Sequence, residues 1–210
     1  MSELLTVAVP KGRVLRPLSR LLERAGLDAA ALTKDDRTLV REDRQAGLRY
    51  LLLKPDDVPT YVEYGAADLG VVGRDVLLER GYDVYAPLDL AIGKCRMIVA
   101  GPVDPRPTHR TLRIGTKYPA IAARHFRETG RSVEVIYVSG SVELAPLTGL
   151  SDRIVDLVET GETLRQNGLE ELEEVVPIST LVIANRAAFK LELPRVRTLL
   201  DALSRASAGA

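Results

Sequence analysis

Residues 154–164 read Ile-Val-Asp-Leu-Val-Glu-Thr-Gly-Glu-Thr-Leu, and this order predicts a buried strand that runs through a glycine turn into a helix. Asp156 lies towards the end of the predicted strand, and Thr160 and Thr163 flank Gly161 in the turn. Backbone N–H groups and hydroxyl groups converge at such a junction, which favours binding of a phosphate. Because a carboxylate also suits ribose hydroxyl groups, the stretch indicates a sugar-phosphate site. An ordinary turn with threonine helix caps fits the loop alone equally well.

The same strand–turn–helix order recurs in the first half of the chain. Leu5–Val9 is a short apolar run that leads into Pro10-Lys11-Gly12-Arg13 and then into leucines at helical spacing. A second run, Leu48–Leu53, precedes Asp56-Asp57-Val58-Pro59, which has the acidic cap and early proline of a helix start. A third run, Leu69–Val72, turns through a glycine into another helix. The alternation predicts an α/β fold with a parallel or mixed sheet.

A proline-rich loop, Gly101–Pro107, separates this series from a second α/β series. After Pro177 an apolar strand at Leu181–Ile183 and a final helix return to the first series. We therefore predict a first domain formed by residues 1–92 plus 179–210 and a second domain formed by residues 93–178.

Composition excludes several classes of protein. The 210 residues carry 29 basic and 29 acidic side chains, a balance that argues against a protein working mainly on nucleic acid. The single Cys95 excludes a disulfide framework and fits a reducing cytoplasm, and no apolar run is long enough to cross a membrane. Neither a secretory signal nor a zinc-ligand cluster is present in the sequence. We expect a cytoplasmic protein that contacts neither nucleic acid nor membrane.

The spacing of residues around this turn is similar to a family signature. Glu143, Gly149, Ser151, Ile154 and Asp156, together with the run Thr160-Gly161-Glu162-Thr163-Leu164, resemble the signature of ATP phosphoribosyltransferase, the first enzyme of histidine biosynthesis. Further segments resemble that family in its own order, so the resemblance covers nearly the whole chain. These segments are 10–13, 56–59, 68–75, 88–89, 93–96, 116–119 and 140–146.

The resemblance implies a fold and a reaction. The fold is a two-domain, periplasmic-binding-protein-like (type II) α/β fold with the active site in the interdomain cleft. The reaction is that of a pentosyltransferase, in which ATP and phosphoribosyl pyrophosphate give N1-(5-phosphoribosyl)-ATP and pyrophosphate. The cofactor implied is Mg²⁺, held mainly by the pyrophosphate rather than by protein ligands.

The same resemblance assigns roles to individual residues. Those expected to bind phosphoribosyl pyrophosphate are Glu143, Asp156, Glu159, Thr160, Gly161, Glu162 and Thr163. Those expected to bind ATP are Lys11, Gly12, Asp89 and Arg96. Arg13 and Arg37 are the expected catalytic residues. Arg37 could alternatively be a solvated loop arginine that is paired with Asp35 or Asp36. Family members often have an arginine where this chain has Lys54, so we leave Lys54 out of the site.

Partners also follow from the resemblance. Long family members continue into a C-terminal regulatory domain that binds histidine, whereas this chain ends after the helix at 195–204 and resembles the short form. Short forms associate with a catalytically inactive relative of histidyl-tRNA synthetase. We therefore expect a hetero-oligomer with this regulatory subunit, a hetero-octamer that contains a homodimer of this chain.

Two other functions stay open at the level of sequence. A bilobal fold also serves non-enzymatic small-molecule-binding modules, so that function is the main alternative. A different phosphoribosyltransferase is the second, but the commoner fold of that class ends its strand with two adjacent acids. Here the corresponding residues are Val155-Asp156-Leu157-Val158-Glu159, which lack the acidic pair.

Overall fold

The computed structural model of the chain describes residues 4–34, 36–104 and 111–208. These residues form two units. The first contains Met1–Leu77, Gly81–Gly93 and Ser179–Ala210, and the second contains Leu78–Arg80 and Lys94–Ile178.

Strands and helices alternate along much of the described chain. The strands are β1 (Leu5–Pro10), β2 (Val40–Asp43), β3 (Leu48–Leu53), β4 (Leu69–Gly73), β5 (Tyr85–Asp89), β6 (Cys95–Pro102), β7 (Leu112–Thr116), β8 (Val133–Tyr137), β9 (Arg153–Val158), β10 (Leu169–Ile178) and β11 (Thr180–Ala184). The helices are α1 (Leu15–Arg24), α2 (Ala30–Thr33), α3 (Val58–Glu63), α4 (Arg74–Glu79), α5 (Pro119–Glu128), α6 (Leu144–Leu147), α7 (Glu162–Gln166), α8 (Arg186–Leu191) and α9 (Leu193–Ala208).

The first unit is built on a six-stranded mixed sheet in the order β2-β3-β1-β4-β11-β5. β1 pairs in parallel with β3 and β4, as expected for strands joined by helices. β2 pairs antiparallel to β3, and β11 pairs antiparallel to both β4 and β5. The returning segment predicted after Pro177 therefore supplies an internal strand of this sheet.

The second unit is built on a five-stranded sheet in the order β10-β6-β9-β7-β8. β7 pairs in parallel with β8 and β9, while β6 is antiparallel to β9 and to β10. β10 follows β6 with two register shifts.

Each sheet is covered by apolar side chains whose spacing is visible in the sequence. Leu18, Leu21 and Leu22 of α1 are buried in one cluster with Val7 and Val9 of β1. In the second unit, Phe126 of α5 lies with Ile114 of β7 and Val155 of β9. Because successive strand residues point to opposite faces, Ile154 and Val158 lie in a different cluster on the other face.

One expected helix start differs from the structure. Pro55–Asp57 form a short 3₁₀ turn, and Asp57 at the beginning of α3 makes no side-chain capping hydrogen bond. Asp57 therefore does not cap α3 through its side chain, whereas Pro59 does occupy the first turn of α3. Gly65, with a φ of 74°, follows the end of that helix.

No helix within the described residues is both long enough and apolar enough to cross a membrane.

Candidate functional site

The loop between β9 and α7 is open to solvent. Glu159, Thr160, Glu162 and Thr163 are all exposed. Gly161 has a φ of 74°, a left-handed conformation that a residue without a side chain adopts at little cost. The N–H of Glu162, at the start of α7, donates to Oγ1 of Thr160 at 3.4 Å, so an anion that binds this N–H has to compete with the Thr160 hydroxyl.

Arg165 of α7 forms hydrogen bonds to the loop that precedes this helix. Arg165 donates from Nη1 to the carbonyl of Thr160 at 3.2 Å and from Nη2 to Oε2 of Glu162 at 2.8 Å. Gln166 Nε2 donates to the other carboxylate oxygen of Glu162 at 2.9 Å. The hydrogen bond from Arg165 is the main reason why the pKa of Glu162 is lowered. The carboxylate of Glu162 is thus bound by two side chains of α7, its own helix.

Asp156 is half-buried in β9, two residues before the strand ends at Val158. Burial raises its pKa to about 6, a hydrogen bond from the backbone N–H of Leu157 at 2.8 Å opposes the rise, and the negative charge of Glu143 adds to it. The positive charge of Lys117 acts in the opposite direction. These charge effects put Asp156, Glu143 and Lys117 in one neighbourhood.

Glu143 directly precedes α6 and is half-buried. A carboxylate at this position could cap the helix, but Glu143 makes no side-chain capping hydrogen bond. Its electrostatic influence on Asp156 instead connects it to the β9 loop. The structure therefore brings together two of the residues assigned to phosphoribosyl pyrophosphate, although 13 positions separate them in the chain.

In the first unit, Lys11, Gly12 and Arg13 form an exposed turn between β1 and α1. Gly12 has a φ of 96°, which favours glycine, and its carbonyl accepts a hydrogen bond from the N–H of Leu15 at 3.1 Å. The N–H of Lys11 donates to the carbonyl of Leu53 at 2.8 Å, which fixes the turn to the neighbouring strand β3. The backbone is thus held while the two cationic side chains face solvent.

A cavity of about 610 Å³ lies beside this turn in the first unit. It brings together Lys11 and Arg37, both expected site residues. Three further cations line it that the sequence analysis did not single out, namely Arg16, Lys34 and Arg41. The spacing of Arg16 one helical turn after Arg13 was a usable signal, whereas nothing local marked Lys34 or Arg41. The excess of positive charge suits an anionic ligand.

Arg37 is exposed on the segment that links α2 to β2. Its neighbour Asp36 pairs with Arg41 at 3.1 Å and with Lys34 at 3.4 Å. Over the described residues, no ion pair joins Asp36 to Arg37. The alternative pairing with Asp35 lies outside the described residues.

The two remaining expected ATP contacts have protein partners. Oδ2 of Asp89 accepts from the Ser179 hydroxyl at 2.6 Å, and its Oδ1 accepts from the N–H of Ala91 at 2.8 Å. Arg96, in the second unit, is ion-paired with Glu171 and, at 3.6 Å, with Glu174 on β10. A ligand that takes up Arg96 has to compete with these two carboxylates.

No group of three or more His, Cys, Asp or Glu residues among those described lies close enough together to hold a metal ion.

The sequence matches one protein family over most of its length. The family described as HisG, ATP phosphoribosyltransferase, matches residues 54–205. The ATP phosphoribosyltransferase of Sorangium cellulosum (strain So ce56) is 58% identical over 210 residues, which are 100% of this chain and 99% of that protein. The ATP phosphoribosyltransferase of Geobacter metallireducens is 48% identical over 210 residues, which are 98% of this chain and 99% of that protein.

Solved structures agree with this match. A chain of the HisG:HisZ ATP phosphoribosyl transferase complex from Thermotoga maritima superposes with a TM-score of 0.84 at 34% identity, covering 99% of this chain and all of that chain. The VFT2 domain of Bordetella pertussis BvgS superposes with a TM-score of 0.59 at 14% identity, covering 98% of this chain and 87% of that one. The second likeness concerns the fold alone, and it confirms the predicted periplasmic-binding-protein-like α/β fold.

A chain with these relatives is an enzyme of the pentosyl-transferring class of glycosyltransferases. It belongs to the ATP phosphoribosyltransferase family, whose reaction is the first step of histidine biosynthesis. None of these comparisons supports the alternative of a non-enzymatic binding module.

Proposed function

We propose that this chain transfers the phosphoribosyl group of phosphoribosyl pyrophosphate to N1 of the adenine of ATP, with inversion at the anomeric carbon. The observation that carries the proposal is the match to named ATP phosphoribosyltransferases at 58% and 48% identity over essentially the whole chain. The open loop after β9, with two carboxylates beside it, supports the assignment of the sugar-phosphate part.

The second unit would hold phosphoribosyl pyrophosphate. Backbone N–H groups and hydroxyls of the loop 159–163 would donate to the 5-phosphate, because Gly161 lets the backbone approach it closely. Asp156 and Glu143 would accept hydrogen bonds from the ribose hydroxyl groups. For this purpose Asp156 has to be ionised, and a ligand that donates hydrogen bonds favours that form.

ATP and the departing pyrophosphate would be held by cationic and polar groups. The ATP contacts we propose are Lys11, Gly12, Asp89 and Arg96. The cation-lined cavity that includes Lys11 and Arg37 supports an anionic ligand on the first unit. Arg13 and Arg37 would stabilise the negative charge that develops on the leaving pyrophosphate.

Positioning and electrostatics would supply most of the rate enhancement. Adenine N1 carries a lone pair and no proton, so its attack needs no general base. The bond between the anomeric carbon and the pyrophosphate oxygen breaks while the bond from N1 forms, with positive charge on the ribose and negative charge on the leaving group. Fixed cations lower the activation barrier by stabilising the negative charge on the leaving pyrophosphate.

We propose that Mg²⁺ enters with the pyrophosphate as part of the substrate. Hard oxygen ligands suit Mg²⁺, and it usually keeps several phosphate and water ligands rather than an all-protein cage. Glu143 and Asp156 suit the neighbourhood of such an ion, since a nearby cation would oppose the burial and the charge of Glu143 that together raise the pKa of Asp156. The ion would supply additional charge neutralisation for the leaving group.

An assay that compares ATP with an analogue lacking the N1 nitrogen tests the reaction directly. The protein is mixed with ATP, phosphoribosyl pyrophosphate and Mg²⁺, together with pyrophosphatase, and the ultraviolet change of an N1-substituted adenine is followed. We expect product with ATP and none with 1-deaza-ATP, in which carbon replaces the attacking nitrogen. Equal release of pyrophosphate with both nucleotides, measured as the phosphate that the pyrophosphatase forms from it, would overturn transfer to N1.

We also propose that the chain works in the cytoplasm as a hetero-oligomer with a histidyl-tRNA synthetase-like regulatory subunit, as a hetero-octamer containing homodimers of this chain. The 34%-identical Thermotoga chain was solved in a HisG:HisZ complex, which supports the partner. Sedimentation of the two proteins alone and mixed measures the assembly. We expect histidine to inhibit only the mixture, and equally strong inhibition of the isolated chain would contradict the partner's regulatory role.

A further inference from the structure

A buried arginine lies next to the exposed Arg37. Arg41, on β2, has a side chain that is only 8% exposed, although a guanidinium is almost never left buried without partners. Its Nη1 donates to the carbonyls of Ala31 at 2.8 Å and Leu32 at 2.9 Å. Its remaining donors reach Thr38 and Asp36, so each N–H group of the guanidinium has an acceptor.

These bonds bracket Arg37. Nε of Arg41 donates to the carbonyl of Thr38 at 3.3 Å, and Nη2 donates to Oδ1 of Asp36 at 3.1 Å and to its carbonyl at 3.4 Å. The same Oδ1 of Asp36 accepts from the N–H of Thr38 at 2.9 Å. Both chain neighbours of Arg37 are therefore tied to one guanidinium and to each other.

Besides Arg41, the N–H of Asp36 donates to the carbonyl of Lys34 at 3.0 Å, and the Lys34 and Asp36 side chains form an ion pair at 3.4 Å. Residues 33–40 are exposed wherever the structure describes them, so burial of their own side chains contributes little to their order. On the far side, the carbonyl of Leu39 accepts from the N–H of Leu52 at 2.8 Å. Arg41 connects the end of α2 to the residues on both sides of Arg37, and it also lines the cation-rich cavity.

We propose that Arg41 is a positioning residue that holds the segment 36–38 so that Arg37 can act on the leaving pyrophosphate. The proposal rests on the proposed function of Arg37. Arg41 itself has its donors satisfied by protein acceptors, so it acts through the backbone on either side of Arg37 rather than on the substrate. A planar fork is needed for this arrangement, because a lysine carries one ammonium and cannot reach the carbonyls of α2 and the Asp36 carboxylate together.

The first test is Arg41→Lys, which keeps the charge and removes the fork. We expect kcat per folded protein to fall by about 10-fold to 100-fold, as for a misplaced catalytic group. KM for ATP and for phosphoribosyl pyrophosphate should stay within about threefold of the original values, since the proposed binding residues are unchanged. The matched control is Arg131→Lys in the second unit, where one nitrogen, Nη2, donates to both carboxylate oxygens of Glu173 at 2.9 and 2.8 Å and the same guanidinium is replaced by an ammonium. We expect its kcat to be unchanged.

A double-mutant cycle separates positioning from a merely structural role. If Arg41 acts through Arg37, Arg41→Lys should change kcat by less than about twofold in the Arg37→Ala background. If Arg41→Lys lowers kcat by the same factor in both backgrounds, the proposal is overturned.

A second variant covers the case in which Arg41→Lys does not fold. Asp36→Asn keeps the bonds from Arg41 to Ala31 and Leu32 and weakens only the charged anchor beside Arg37. We expect a smaller fall in kcat that again disappears in the Arg37→Ala background, and an undiminished fall there would contradict the proposal. If the unsubstituted protein had no transferase activity, that result would contradict the proposed function rather than the role of Arg41. Failure of the proposed function and failure of this inference are therefore distinguishable.

Discussion

The charge of Glu143 acts on the carboxyl group of Asp156 across the connection from α6 to β9. Burial is the largest cause of the raised pKa of Asp156, about 6, and the charge of Glu143 adds to it, against a hydrogen bond from Leu157 and the charge of Lys117. A bound cation or a hydrogen-bond donor beside Asp156 would favour its ionised form against both burial and the charge of Glu143. Several expectations about pH follow from this pair.

The first prediction concerns the binding of phosphoribosyl pyrophosphate as a function of pH. If ionised Asp156 accepts ribose hydroxyl groups, kcat/KM for this substrate should rise with pH and level off above about 6. Asp156→Asn should lose that limb of the profile. The phosphate groups of the substrate titrate in the same pH range. Because the original protein and Asp156→Asn are assayed with the same substrate, the difference between their two pH profiles is due to Asp156.

Asp156 should also affect stability with a defined sign. Its pKa is about 6 in the folded protein and near 3.9 in an unfolded chain, so the folded state binds more protons between these values. The contribution of Asp156 to the free energy of unfolding is therefore greatest below about pH 4 and is lost as the pH rises through 6, by at most about 3 kcal/mol. Urea unfolding at about pH 4.5 and about pH 7 measures the difference in the free energy of unfolding between the two pH values. Asp156→Asn should make this difference smaller.

The second prediction concerns Gly161. Its φ of 74° is strained for alanine, so Gly161→Ala should cost about 1 kcal/mol of stability and displace the loop. We expect KM for phosphoribosyl pyrophosphate to rise by about tenfold or more, because one lost hydrogen bond to a phosphate is worth at least that factor. Gly130→Ala is the matched control, since Gly130 has a φ of 70° with nothing within 4 Å of the added carbon. An equal rise in KM for both variants would argue against a role of this loop in binding.

The third prediction concerns Arg13. Arg13→Ala should lower kcat by about 100-fold or more while raising KM much less, because the charge it stabilises appears only in the transition state. Arg20→Ala, an exposed arginine on α1, removes the same charge and serves as the control. Steady-state kinetics with both substrates decides the question. A raised KM at unchanged kcat would make Arg13 a uniform binding contact.

The fourth prediction concerns the close packing of α3 on β4. A Cβ at Gly70 would lie 2.7 Å from Cγ2 of Val62 and 2.9 Å from Cγ1 of Val58. We expect Gly70→Ala to lower the free energy of unfolding by about 1–3 kcal/mol through overpacking. Gly81→Ala, with nothing within 4 Å, should be close to neutral. Gly70→Ala should cost less in a Val62→Ala background than in the original protein, and full additivity of the two substitutions would show that this contact is not the cause.

The parts of the fold that sequence patterns predicted are those with buried, apolar periodicity. The strands at β1, β3, β4 and β9 and the helix α1 carry such patterns. β2 reads Val-Arg-Glu-Asp, a polar edge strand that is defined by its pairing with β3 rather than by its own side chains. β10 carries four glutamates in Leu169–Ile178, and it becomes a strand because β6 offers it an edge.

A local signal for one missed helix was present. Asn185 caps α8 by accepting hydrogen bonds from the N–H groups of Ala187 at 2.9 Å and Ala188 at 3.0 Å. Asparagine before a run of good helix formers is a usual N-terminal pattern.

The candidate site divides in the same way. The loop around Gly161 and the turn at Gly12 are local in sequence, and glycine spacing marks both. The surroundings of Asp156 and the bonds of Arg41 depend on segments that meet only in the folded unit. The raised pKa of Asp156 and the contacts of Arg41 could not be obtained from residue spacing.

The position of β11 has a consequence for biosynthesis of the chain. β11 is sandwiched between β4 and β5, yet it is translated after the whole of Lys94–Ile178. While the ribosome makes that stretch, the facing edges of β4 and β5 have no strand to pair with, and unpaired edges are templates for aggregation. Pairing of β4 and β5 within this sheet therefore has to wait until residues 180–184 have emerged.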